Sequence, residues 1–115
     1  MEAAQSVSLA TSRCGDQVTI KVRGDLDFAA VGSLVGCIEN AVDERVKLCV
    51  LDCEDVTFID SETLKALLLL RCRFARVGRV LRLQNCSEQV IRLLTLLGIR
   101  EQLGCPEDDG PERCG

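Results

Sequence analysis

Between residues 16 and 53 the hydrophobic period switches twice, and that switch constrains the fold more than any other feature. In DQVTIKVRG, residues 16–24, Val18, Ile20 and Val22 alternate with Thr19, Lys21 and Arg23. Period two is the mark of a half-buried strand. Gly24 closes this run, and Asp25-Leu26-Asp27 then leads into FAAVGSLVGCIENAV. There Ala30, Leu34, Ile38 and Val42 recur every four residues, which places them on one face of a helix begun by an Asp cap. Gly32 and Gly36 weaken that helix by about 1 kcal/mol each relative to Ala. VKLCVLDC, residues 46–53, is then nearly continuously apolar, as expected of a central strand covered on both faces.

The rest of the chain extends this alternation. SVSLATS, residues 6–12, reads as a strand, and the CGDQ turn makes it a hairpin with the next one. CEDV reads as a connection. The leucine-rich stretch after Asp60-Ser61 reads as a helix to about Val77, with Leu64, Leu67, Leu68 and Ala75 toward the core. Lys65, Arg71, Arg73, Arg76 and Arg79 form its basic fringe, and Gly78 its natural stop. RVLRLQN, residues 79–85, reads as a strand, and EQVIRLLTLLG as a last helix ending near Gly98. The order β, β, α, β, α, β, α implies parallel pairing through right-handed crossovers. The expected fold is α/β: a small mixed sheet of about four strands with helices packed on it. Residues 1–103 are expected to form one domain. Residues 104–115 are acidic, contain both prolines, and are expected to be a disordered tail.

Composition removes several kinds of chemistry. There is no His, so neither a Ser-His-Asp triad nor a neutral-pH histidine base is available. Aromatic residues are 3% of the chain and the formal net charge is −4, a poor match to a nucleic-acid surface. No phosphate-binding glycine loop or nucleophile elbow occurs. The acidic group Asp52, Glu54 and Asp55 is a weak cation candidate that reads as a solvated loop. No cofactor, metal or enzymatic activity is expected. The eight cysteines are scattered with no CxxC pair, and no signal peptide or membrane-length apolar run is present. They read as reduced thiols, several of them small core residues, with Cys105 and Cys114 as the pair to watch for redox chemistry.

The stretch FIDSETLKAL, residues 58–67, carries the functional question. Asp and Ser both make good helix N-caps, so Asp60-Ser61 has a purely structural reading. The same geometry suits a phosphorylated serine. It would sit at the positive end of a helix dipole and add about −1.5 to −2 charges without unfolding the helix.

A larger set of features points to a family. Leu51-Asp52 ends a strand, Val56 to Ser61 carries an apolar-Asp-Ser link, and Gly78 precedes a further strand. Asn85 turns, and Leu96 to Ile99 gives a terminal Leu-x-Gly. Gly24-Asp25-Leu26-Asp27 matches the family's earlier turn. Together these resemble a STAS domain of the anti-sigma factor antagonist type, over roughly residues 6 to 103. Thr63 stands where that family has a Gly, and Glu62 adds charge beside the acceptor. The resemblance implies a cytoplasmic bacterial regulator of sigma-factor-dependent transcription. Its partner would be an anti-sigma factor that is also a serine kinase of the GHKL type, and phosphorylation of Ser61 would release it. The implied partner surface comprises Asp25, Asp27, Asp60, Ser61, Glu62 and Thr63, with no direct contact to nucleic acid and no membrane insertion. A second reading keeps the fold as an unswitched docking subunit of a transport or signalling complex. A third, an enzyme or thiol-redox protein, has little in the residues to support it.

Overall fold

A computed structural model describes residues 7–98 of the 115-residue chain. The elements are β1 (Val7–Cys14), β2 (Gln17–Leu26), α1 (Phe28–Ala41), β3 (Leu48–Ile59), α2 (Ser61–Arg76), β4 (Val80–Gln84) and α3 (Glu88–Leu97). The expected order and the expected four-stranded mixed sheet are both present. The strands lie in the order β1-β2-β3-β4, with β1 antiparallel to β2 and the other two pairs parallel. The expected tail, residues 104–115, lies outside the described residues, as do Cys105 and Cys114.

Both parallel crossovers step the same way across the sheet. Right-handed crossovers that step the same way put their helices on the same face, and α1 and α2 accordingly pack side by side. The register stacks Val18, Cys49 and Leu81 in one row and Ile20, Leu51 and Leu83 in the next. All six are at most 2% exposed, in one core with Leu34 and Ile38 of α1, Leu64 and Leu67 of α2 and Leu94 of α3. Burying each such side chain contributes about 1.5–3 kcal/mol.

Four expectations are corrected. β3 is not covered on both faces: among the described residues, every helix lies on one. Its near-continuous apolar run arises because Val50, on the other face, is 1% exposed between Thr19 and Arg82 of the neighbouring strands. CEDV is not a connection but part of β3, since the acidic side chains of Glu54 and Asp55 find Lys21 at 3.5 Å and 3.7 Å. Nor does Gly24 end β2. The strand runs on to Leu26 through register shifts on either side of Gly24, whose φ of 101° a glycine tolerates. On α2, Ala75 is exposed, whereas Leu70 and Phe74 are buried. The core stripe follows 67, 70 and 74, one step away from Ala75. Gly78, at φ 76°, follows the Val77 cap as expected.

Candidate functional site

The C-terminal ends of β2 and β3 meet at one end of the sheet. Asp25 pairs with Phe58 and Leu26 with Ile59, so the turn before α1 lies beside the junction before α2. Two helices begin there. Asp27 caps α1, its carboxylate accepting from Ala30 N at 3.0 Å. Asp60 caps α2, one carboxylate oxygen accepting from Thr63 N at 2.9 Å. The question posed by Asp60-Ser61 is thus answered at the first step: the cap is Asp60, and Ser61 is the first residue of the helix.

The other oxygen of Asp60 accepts from Phe28 N, the first helical N–H of α1, at 3.1 Å. One carboxylate therefore serves the starts of both helices. Its desolvation opposes ionisation, but the hydrogen bonds from Thr63 and Phe28 outweigh that and hold its pKa below the usual carboxylate range. Thr63 supplies a second tie. Its hydroxyl donates to Leu26 O at 3.1 Å, and the residue is fully buried. Asp25 accepts from the Thr57 hydroxyl at 2.6 Å, a bond that crosses from β3 to β2.

These ties bring Asp25, Asp27, Asp60, Ser61, Glu62 and Thr63 to one end of the molecule. They do not give them one role. Asp25, Asp27, Asp60 and Thr63 are engaged in holding the junction, and Thr63 turns its side chain inward. Ser61 is half-exposed, and its hydroxyl makes no side-chain hydrogen bond among the described residues. Glu62 is exposed and pairs with Lys65 at 3.6 Å. As the first residue of α2, Ser61 sits among N–H groups with no partner inside the helix, a setting that favours an anion.

Two residues were missed by the sequence reading. Phe28 is 68% exposed and Phe58 50% exposed, whereas the third phenylalanine, Phe74, is buried. Both flank the site, one after Asp27 and the other two residues before Asp60. Their signal in the sequence was position: each aromatic stands at an element boundary within two residues of a capping Asp, outside the apolar period of its element.

Among the described residues no group of three His, Cys, Asp or Glu side chains is arranged to hold a metal ion, and no helix is long and apolar enough to cross a membrane. Cys14, Cys37, Cys49, Cys53 and Cys72 form no disulfide, and the Cys53 thiol donates to Leu51 O at 3.6 Å. Asp52, Glu54 and Asp55 all lie within 3.8 Å of the Lys21 ammonium, with Arg23 also 3.9 Å from Asp55, so they form an ion-pair cluster on the sheet rather than a solvated loop.

The STAS domain family model matches residues 9–107. A STAS-domain containing protein of Pseudomonas aeruginosa (strain UCBPP-PA14) is 30% identical over 91 residues, which is 79% of this chain and 89% of that one. The unphosphorylated anti-sigma factor antagonist SpoIIAA superposes with a TM-score of 0.64 at 26% identity, covering 80% of this chain and 82% of that one. Its phosphorylated form, described as a Bacillus cell fate determinant, gives 0.60 at 26% identity over 82% and 86%. The fold also occurs within the murine anion transporter Slc26a9, with a TM-score of 0.67 at 21% identity, over 81% of this chain but 16% of the transporter. Family match, sheet order and helix placement agree: the chain belongs to the STAS domain family.

Proposed function

We propose that this STAS domain is an anti-sigma factor antagonist, a non-enzymatic cytoplasmic binding protein switched by phosphorylation of Ser61. The observation that supports it is the division of labour at the junction. Asp60 performs the capping, which leaves the Ser61 hydroxyl half-exposed with no structural duty. A phosphate there would meet the unpaired N–H groups of the first turn and leave the Asp60 and Thr63 ties in place. It would add about −1.5 to −2 charges beside Asp60 and Glu62. The partner, an anti-sigma factor with serine kinase activity, would bind the unmodified end and be repelled from the modified one.

The test is intact-protein mass after incubation with soluble extract of the source organism and ATP, for wild type and Ser61→Ala. One added phosphate on the wild type and none on the variant is the expected result. A wild type that stays unmodified under every growth condition overturns the switch. The second reading, a permanent docking module, draws on Phe28 and Phe58, which are apolar contacts that need no phosphate. It predicts that Ser61→Asp keeps its partner, whereas the switch reading predicts that Ser61→Asp loses it with the fold intact.

A further inference from the structure

The two edges of the sheet are built differently. β4 has five residues, carries Arg82 and follows Arg79, and short charged edges resist pairing with other chains. β1 has eight residues, VSLATSRC, with neither Pro nor Lys. Its one charge, Arg13, is held by Asp43 through two bonds of 3.0 Å and 3.2 Å. An edge of this kind is a template for a further strand.

The hairpin fixes which backbone groups point outward. Cys14 faces Gln17 across the two-residue turn Gly15-Asp16, with Gly15 at φ 63°. The pair closing such a turn exchanges both hydrogen bonds. By alternation, Ser8, Ala10, Ser12 and Cys14 direct their N–H and C=O groups to β2. Val7, Leu9, Thr11 and Arg13 direct theirs away from the sheet, and no hydrogen bond from these four groups to another described element is seen.

We propose that this edge is a homodimer interface, in which β1 of two copies pair antiparallel about a two-fold axis through Ala10. The outward set is self-complementary in that register. Val7 meets Arg13 of the second copy and Leu9 meets its Thr11, each pair able to exchange two hydrogen bonds, so a single eight-stranded sheet results. The occupant is a second copy because the outward set pairs with itself in register. The one charge on β1, Arg13, is neutralised by Asp43, so two copies, each of net charge −4, meet at this edge without opposing like charges. The groove of about 610 Å³ between β1 and α1 lies along it, lined by Thr11, Ser33, Gly36, Cys37, Asn40 and Ala41 with no charged side chain. In the dimer the two grooves flank the axis on the helical side, where small side chains let the two α1 helices approach. The Ser61 end of the molecule stays free in both copies, so the interface does not depend on the proposed function.

The full chain in reducing buffer, followed by size-exclusion chromatography with light scattering over a concentration series, is expected to reach twice its 12.6 kDa. Thr11→Pro removes an outward N–H from each copy and leaves the β1–β2 ladder whole. It is expected to weaken the dimer roughly tenfold or more. Ala10→Lys and Ala10→Glu each set like charges opposite one another at the axis, and each alone is expected to weaken the dimer several-fold. Mixed together they are expected to form a hetero-pair by native mass spectrometry, a rescue that misfolding would not produce. A wild type that stays monomeric throughout the series overturns the interface and leaves the edge to a foreign strand. A dimer indifferent to all three variants places the contact elsewhere and equally overturns it.

Discussion

Asp60 is the residue on which the site is organised, since one carboxylate caps α2 and receives the first N–H of α1. Asp60→Ala removes both bonds and is expected to cost about 1–2 kcal/mol in urea unfolding. Ser61→Ala, one residue on, is expected to cost under about 0.5 kcal/mol, because Ser61 is not the cap. Equal costs at the two positions would return the cap to Ser61. The pKa of Asp60 lies below its ordinary value in the folded chain. Its contribution is therefore whole above the unfolded carboxylate value of about 3.9 and fades as pH falls through the folded one. Asp43, held at about 2 by the Arg13 hydrogen bond and the Arg45 N–H, acts in the same direction. Stability measured downward from pH 5 should fall less steeply in Asp60→Asn and Asp43→Asn than in the wild type.

At the scale of elements, Thr63 joins α2 to the turn before α1. Thr63→Val keeps the volume but leaves the buried Leu26 carbonyl without its donor, an expected loss of about 1–3 kcal/mol by denaturant unfolding. A loss near zero would mean that the hydroxyl bond contributes nothing. The elements themselves were mostly legible in the sequence, because period two and period four are imposed by burial on one side. The end of β3 was not. Glu54 and Asp55 read as loop residues until Lys21 and Arg23 of β2 are seen opposite them, and that pairing is a long-range fact. The core face of α2 was half legible: in LKALLLLRCRFA so many positions are apolar that period alone does not separate Leu70 and Phe74 from Ala75. The site was legible as a cluster, through Asp-Leu-Asp and Asp-Ser. Its inner wiring was not, because Asp60 reaches Phe28 across 32 residues.

For the whole molecule, the consequence of same-sense crossovers is a sheet with one apolar face under three helices and one polar face bearing Thr19, Lys21, Asp52 and Arg82. Such a molecule should respond to substitution very unequally on its two sides, although the same strands supply both. Leu51→Ala, on the helical side and fully buried, removes contacts with both helices and strands and is expected to cost about 2–5 kcal/mol. Arg82→Ala, on β4 and exposed, is expected to change stability by no more than about 0.5 kcal/mol, the modest loss of its cover over Val50 included. Equilibrium urea unfolding of the two variants measures the contrast directly. If Arg82→Ala costs as much as Leu51→Ala, the polar face carries a second packed layer, and the one-sided architecture argued from crossover handedness is wrong. If the contrast holds, Arg82 carries little structural load, and its charge can be altered without unfolding the domain.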